Sequence, residues 1–278
     1  MKKIAAIFFV VFMMLGMTAC GLDDKETEDK ESGEVEVVVF AAASLTETLE
    51  EIEELYKDVD PNVKLVFNFD SSGTLKTQIE EGAVCDVFIS AGQKQMDQMD
   101  IHADSEIHTN GLDFIEEGTR INLLENKVTL VVSEENRKNI QSFDDMYDSL
   151  NERSILIGIG NADVPVGQYT QKIFEYFDLD KEMLEDGGCI SYGSNVKEVT
   201  TQIKEGTVDC GIIYCTDAFS ENLQIVDYAT SDMCGQVIYP AAIMHTSACK
   251  DYAMKFLDYL TSEEAMDVFE RVGFMPVK

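Results

Sequence analysis

Residues 35–51 read VEVVVFAAASLTETLEE and hold the junction from which the rest of the chain is interpreted. The apolar run Val37–Phe40 is typical of a buried strand, and residues 45–56 have the apolar spacing of a helix with one buried face. Between them lie three alanines and Ser44, and no residue from Val37 to Thr46 is charged. A buried strand that turns directly into a helix predicts an α/β fold.

The same alternation continues along the chain. Further strands are predicted at 63–69, 85–90, 127–133, 154–160, 209–214 and 236–244. Helical patterns follow several of these strands, and two more helices close the chain. Continuous apolar strands of this kind predict parallel-type sheets covered on both faces, where ligands collect at the carboxyl ends of the strands.

The first residues have the pattern of an export signal. A basic start, MKK, precedes the apolar run 4–17 and the small residues that end at Cys20. This run is short for a membrane span, so we interpret residues 1–19 as a signal peptide. The cysteine predicts a lipoprotein whose Cys20 thiol is lipidated; the alternative is a plain signal peptide with an incidental cysteine. Residues 20–33 are acidic, have no apolar pattern and are interpreted as a solvated tether.

The composition argues against several classes of function. The formal net charge is −32, which argues against nucleic acid as a partner. No HExxH, GxSxG or P-loop pattern occurs, so no catalytic residue is predicted. Six cysteines follow Cys20 without a CxxC pair. We expect them to be buried free thiols, with disulfides as the alternative.

Four predicted helices begin with small or uncharged residues, in the segments AAASL, DSSGTL, VPVGQY and GSNVKE. The N–H groups at a helix start lack intrahelical partners, and with the helix dipole they suit an anion. Ser44, Ser72 and Tyr214 would add hydroxyl donors. Ordinary capping explains each start as well, since SLTE from Ser44 to Glu47 fits a capping box. The pattern by itself predicts an exported α/β protein that binds a small anion.

The ordered motifs from Val37 to Phe274 resemble the molybdate-binding protein family of bacterial molybdate ABC transporters. SSGTL followed by QIEEGAVCDVFISA is the most specific part, and VPVGQY, GTVDCGIIYCTDA and VIYPAAIM follow in order. The resemblance implies a two-lobed type II periplasmic-binding-protein fold, with mixed sheets flanked by helices and a ligand cleft between the lobes. One lobe would comprise 34–124 and 240–278, and the other 125–239.

The resemblance also implies that neutral donors hold the oxyanion. Ser44 and Ser72 would each give a hydroxyl and a backbone N–H, with Ser71 as the alternative to Ser72. Val166 and Val196 would give backbone N–H groups, and Tyr214 a phenol hydroxyl. The ligand would be molybdate or tungstate, without any direct bond from protein to metal and without a cofactor.

On this interpretation the protein is not an enzyme. It is a monomeric receptor, lipid-anchored on the extracytoplasmic face of the membrane, that delivers its ligand to an ABC permease. One alternative is a receptor for another ligand, such as sulfate, phosphonate or ferric ion. A ferric-ion site would require tyrosine pairs or clusters of carboxylates and histidines, and no Tyr-Tyr pair occurs in the sequence. The other alternative is an exported α/β enzyme with a reactive cysteine.

Overall fold

The computed structural model describes residues 34–103 and 111–277. The predicted signal peptide, Cys20 and the acidic tether lie outside the described residues. Within the described part of the chain, no helix is both long enough and apolar enough to cross a bilayer.

The described residues alternate between strands and helices. The strands are β1 (Val35–Ala42), β2 (Val63–Asp70), β3 (Val87–Ile89), β4 (Ile121–Asn126), β5 (Val128–Val132), β6 (Ile157–Gly160), β7 (Ile190–Gly193), β8 (Cys210–Tyr214), β9 (Gln224–Tyr228), β10 (Val237–Ile243) and β11 (Met275–Pro276). The helices are α1 (Thr46–Val59), α2 (Ser72–Glu80), α3 (Gln93–Met99), α4 (Phe143–Asn151), α5 (Pro165–Tyr176), α6 (Lys181–Asp186), α7 (Val196–Lys204), α8 (Cys215–Ser220), α9 (Ser231–Cys234), α10 (Lys250–Tyr259) and α11 (Glu263–Arg271).

The strands form two mixed sheets. The first has the order β11-β4-β10-β3-β1-β2, and the second has the order β7-β6-β8-β5-β9. In the first sheet β1 is parallel to β2 and β3, whereas β10 is antiparallel to β3 and β4. In the second, β6 is parallel to β7 and β8, whereas β5 is antiparallel to its neighbours. The expectation of parallel-type sheets was therefore too simple, because β5 and β10, the strands that follow the passages between the sheets, are antiparallel to their neighbours.

The chain passes between the two sheets twice. The first passage has one residue, Lys127, between β4 and β5, and the second leads from β9 through α9 to β10. The lobe limits given above stay predictions, since sheet membership alone does not assign the helices.

The parallel strands bring their carboxyl ends to a common edge. In the first sheet Ala42 pairs with Asp70, and Ala41 pairs with Ile89. Residues after these strands therefore meet at one place. The core beneath this edge is apolar and holds both β1 and the inner face of α1. Burying side chains of this size contributes about 1.5–3 kcal/mol each, which holds the strand-to-helix turn in place.

The six cysteines after Cys20 are all free thiols in the structure. Five of them are buried: Cys85, Cys189, Cys210, Cys215 and Cys234. Cys249 is partly exposed.

Candidate functional site

A narrow cavity lies where the carboxyl ends of the strands meet the starts of several helices. Its lining comprises Ala42, Ala43, Ser44, Asp70, Ser71, Ser72, Ala91, Val164, Pro165, Val196 and Tyr214. Four of the five predicted ligand-binding residues belong to this lining, and the fifth, Val166, follows the lining residue Pro165. The space open to the centre of a water molecule is about 10 Å³, close to what one ordered water needs.

Helix starts surround this cavity. Ser72, Pro165 and Val196 are the first residues of α2, α5 and α7, and a short 3₁₀ turn, Ala43–Leu45, lies beside them. The first N–H groups of a helix have no partner within the helix, and the helix dipole places partial positive charge there. A convergence of such groups is suited to an anion. A larger cavity of about 440 Å³ lies beside α5, but it is lined largely by side chains of that helix.

Ser71 and Ser72 have separate roles at the start of α2. The Ser71 hydroxyl accepts the Thr74 N–H at 3.2 Å and thus caps the helix. The Ser72 Oγ accepts the Ala91 N–H at 2.9 Å, and the residue is fully buried. Since its oxygen already accepts a bond, the Ser72 hydroxyl hydrogen is left to donate. This division favours Ser72 over Ser71 as the predicted ligand donor.

The Ser44 hydroxyl does not cap a helix, so the capping box predicted for SLTE is wrong. The residue preceding α1 is Leu45, and no side-chain bond caps that helix within the described residues. Ser44 lies instead inside the 3₁₀ turn, with its Oγ 2.9 Å from the Tyr239 hydroxyl. A tertiary contact therefore holds the side chain at the cavity.

Tyr214 ends β8 and reaches across to the first sheet. Its hydroxyl donates to the Ala91 carbonyl oxygen at 3.3 Å, which is long for an O–H···O bond. Burial raises the pKa of Tyr214 well above its usual value, so the phenol keeps its proton at neutral pH. A weak bond of this kind is readily exchanged for a stronger bond to an anion.

Val166 and Val196 present backbone N–H groups at the starts of α5 and α7. No group in the described residues accepts a bond from either N–H. The Asn195 side chain caps α7 by accepting the Glu198 N–H at 3.0 Å, which leaves the Val196 N–H free. The Val166 side chain is buried in the core, so the valine at this position does not crowd the cavity.

The donors at the cavity are uncharged. Among the described residues, neither lysine nor arginine lines it, and its one charged lining residue is Asp70. The Asp70 Oδ1 accepts the Ser71 N–H at 2.7 Å and lies 3.4 Å from the Asn195 Nδ2. The nearby Lys197 Nζ lies 2.7 and 2.8 Å from the two Glu47 carboxylate oxygens, which neutralise its charge.

Sequence reasoning missed several residues of this site. The backbone of Ala91 bonds to both Ser72 and Tyr214. Ala91 follows the carboxyl end of a predicted strand, a position that indicates a ligand site in such sheets. Asp70 ends β2 and gave the same signal. Tyr239 contacts Ser44, and Asn126 contacts Tyr239, through tertiary structure alone, and the sequence holds no signal for them.

Comparisons with known proteins identify the family of the chain. A family model described as bacterial extracellular solute-binding protein matches residues 37–275. The putative ABC transporter substrate-binding lipoprotein YvgL of Bacillus subtilis is 29% identical over 274 residues, with 98% of each chain covered. The molybdate-binding protein ModA of Escherichia coli is 30% identical over 253 residues, which covers 87% of this chain and 89% of ModA.

Solved structures of solute-binding proteins are similar to this structure in fold. The substrate-binding domain of a putative molybdenum ABC transporter from Clostridium difficile is 33% identical, with a TM-score of 0.62, 88% of this chain covered and 100% of that domain. The Azotobacter vinelandii periplasmic molybdate-binding protein has a TM-score of 0.72 at 19% identity, with 87% and 100% coverage.

Two mixed sheets flanked by helices and a cleft of helix starts define a type II periplasmic-binding fold, as predicted. The chain belongs to the bacterial extracellular solute-binding protein family, and the predicted resemblance to the molybdate-binding proteins is confirmed. These relatives are solute-binding proteins rather than enzymes, and an ABC permease is the implied partner.

Gly73 allows the start of α2 to approach the loop before α5. A methyl group on Gly73 would lie 2.2 Å from the Asp163 carbonyl oxygen, far inside contact distance. Only glycine permits this approach of one backbone to another.

Gly73→Ala should therefore keep these two parts of the cleft apart and weaken ligand binding. Overpacking costs about 1–3 kcal/mol. We therefore expect oxyanion affinity, measured by titration calorimetry, to fall by about fivefold or more. Gly92→Ala is the matched control, because its added methyl meets side-chain atoms alone, the nearest being the Pro165 Cβ at 3.3 Å and the Gln95 Oε1 at 3.5 Å. Equal affinities for Gly73→Ala and the wild type would contradict this role.

Asp217 is a buried carboxylate beside the cleft. It is 1% exposed, neither carboxylate oxygen has a hydrogen-bond partner among the described residues, and the Lys197 Nζ lies 3.6 Å away. Burial raises the pKa of Asp217 to about 7, although Lys197 acts in the opposite direction. Between about pH 4 and 7 the folded protein therefore binds more protons here than the unfolded chain. The free energy of unfolding should fall as the pH rises through this window.

Asp217→Asn should abolish this fall in the free energy of unfolding with rising pH. We expect the variant to exceed the wild type by about 1–3 kcal/mol in free energy of unfolding at pH 8, with little difference at pH 4, by urea denaturation. Asp258→Asn, at an exposed position of α10, is the control and should show no such pH dependence. A destabilised Asp217→Asn at pH 8 would show that the ionised carboxylate is needed.

Proposed function

We propose that this protein captures molybdate, and also tungstate, on the extracytoplasmic face of the membrane and passes it to an ABC permease. Lipidation of Cys20 would anchor it there. The observation that carries the proposal is the convergence of unpaired helix N–H groups with three hydroxyl donors and no cation on one small cavity. The donors are the hydroxyls of Ser44, Ser72 and Tyr214 and the N–H groups of Val166 and Val196.

Neutral donors are sufficient to hold a dianion. Taking such a charge out of water is costly. Hydrogen bonds to a charged acceptor contribute about 1.5–3 kcal/mol each, and each helix dipole adds about 0.3–1 kcal/mol. Several such bonds offset the desolvation because the backbone and the hydroxyl contacts hold the donors in place beforehand. The −32 surface opposes the approach of an anion, but salt screens it beyond about 8–10 Å.

Neutral donors also provide selectivity. The Ser72 oxygen accepts the Ala91 N–H, and its hydrogen is available to donate to a ligand. A protonated phosphate would turn its own O–H toward a donor and lose a bond. Fully deprotonated tetrahedral oxyanions satisfy every donor. We expect the cavity of the ligand-bound protein, rather than the space of about 10 Å³ in this structure, to separate molybdate and tungstate from the smaller sulfate by size.

A sulfate receptor is the second candidate, because the same donors suit any deprotonated tetrahedral oxyanion. An exported thiol enzyme has less support. Burial raises the pKa of the Cys85, Cys210 and Cys215 thiols, whereas a nucleophilic cysteine needs a lowered pKa.

Titration calorimetry with molybdate, tungstate, sulfate and phosphate tests the proposal. We expect binding of molybdate and tungstate, weaker binding of sulfate and no binding of phosphate. Tight sulfate binding without a molybdate response would overturn the assignment in favour of the second candidate.

The serines provide a residue-level test. Ser44→Ala and Ser72→Ala should each weaken molybdate binding by at least about 1 kcal/mol, the scale of one lost hydrogen bond. Ser71→Ala is the matched control: it removes the helix cap, lowers stability by about 0.5–2 kcal/mol, and should leave affinity closer to the wild type. Unchanged affinity in both Ser44→Ala and Ser72→Ala would remove these side chains from the site.

A further inference from the structure

The Tyr239 hydroxyl links Ser44 to the passage between the two sheets. Tyr239 is fully buried on β10. In the described residues its hydroxyl forms hydrogen bonds with the Ser44 Oγ at 2.9 Å and the Asn126 Nδ2 at 3.1 Å, and the Tyr214 hydroxyl also interacts with it. Burial raises the pKa of Tyr239 well above its usual value, so the phenol carries its proton.

The orientation of the Asn126 side chain is determined by its other contacts. Its Oδ1 accepts the Lys127 N–H at 2.8 Å and the Cys215 thiol at 3.2 Å. Its Nδ2 donates to the Thr216 Oγ1 at 3.0 Å as well as to Tyr239. The Lys127 N–H and the Cys215 thiol both donate, so the amide oxygen must face them. The amide nitrogen then faces the Thr216 and Tyr239 hydroxyls.

The direction of each proton then follows. An amide nitrogen donates and does not accept, so the Tyr239 proton cannot go to Asn126. Among the described residues, the acceptor at hydrogen-bond distance is the Ser44 Oγ, at 2.9 Å. The Tyr214 hydroxyl also interacts with Tyr239, but it donates its own proton to the Ala91 carbonyl oxygen. Ser44 accepts the Tyr239 proton and turns its own hydrogen elsewhere. Because Ser44 lines the cavity, that hydrogen is available to a ligand.

We propose that Asn126 and Tyr239 are positioning residues that set the Ser44 hydroxyl as a donor to the bound oxyanion. This inference rests on the proposed function of oxyanion capture. A different contact orients the Ser72 hydroxyl as a donor: its oxygen accepts the Ala91 N–H. Both serines thus present hydrogens to the cavity.

The contacts of Asn126 tie this direction to both sheets. Asn126 ends β4 in the first sheet, directly before the chain passes to the second. Cys215 and Thr216 begin α8, which follows β8 of the second sheet. The Ser44 donor on one side of the cleft therefore depends on groups that arrive from the other side.

A double-mutant cycle tests the inference. Tyr239→Phe is made in the wild type and in Ser44→Ala, and molybdate and sulfate affinities are measured by titration calorimetry. We expect Tyr239→Phe to weaken binding about threefold to tenfold in the wild-type background, the scale of one misdirected hydrogen bond. In the Ser44→Ala background it should have no effect on affinity. Tyr259→Phe is the control, because its hydroxyl donates to Glu264 at 2.9 Å, among helices α10 and α11.

Asn126→Asp provides a second cycle that does not depend on the folding of Tyr239→Phe. A carboxylate would accept the Tyr239 proton, Ser44 would donate to Tyr239, and no hydrogen would remain for the anion. The added charge repels the ligand whether or not Ser44 is present. If the direction of the Ser44 hydroxyl matters, Asn126→Asp should lower oxyanion affinity about threefold or more further in the wild-type background than in the Ser44→Ala background.

The outcomes separate the inference from the function. Equal losses in both backgrounds would show a purely structural role and overturn the inference, while oxyanion binding by the wild type would stand. A wild type that binds neither molybdate nor sulfate would overturn the proposed function, and the inference with it.

Discussion

The N–H groups of Val166 and Val196, at the starts of α5 and α7, have no acceptor in the described residues, and the proposed site depends on this arrangement. Unpaired buried donors are costly, so the fold has to hold them in place where, on the proposed function, an anion satisfies them. Parallel strands do this by ending at a common edge, as the pairing of Ala42 with Asp70 shows. The alanines after β1 keep this edge small, and Gly73 lets the opposite side come into contact.

No lysine or arginine among the described residues lines the cavity, and its donors are uncharged. Lys197 lies beside the site, but Glu47 pairs with it, and Asp217 contacts it at longer range. A free lysine here would attract any anion, including protonated ones. Neutral donors with one available hydrogen each instead require a ligand made of bare oxygen acceptors. Selectivity would therefore come from hydrogen-bond direction and cavity size rather than from charge.

The sequence predicted the parts of the fold that depend on local pattern. β1, α1 and the helix that begins at Ser72 follow from apolar spacing, and four of the five proposed donors line one cavity. β4, β7, β9 and β11 were missed because their hydrophobic pattern is weak. The capping box at Ser44 was wrong because Tyr239, 195 residues away in the chain, holds that hydroxyl. Local spacing carries no information on such a contact.

A crystal structure of the molybdate complex, with the metal located by its anomalous scattering, tests the central claim most directly. The account predicts one molybdenum peak in this cavity, with its oxygens at about 2.7–3.2 Å from the hydroxyls of Ser44, Ser72 and Tyr214 and the N–H groups of Val166 and Val196. It also predicts no lysine or arginine nitrogen in contact with the anion. A peak held by basic side chains, or located in another cavity, would contradict it.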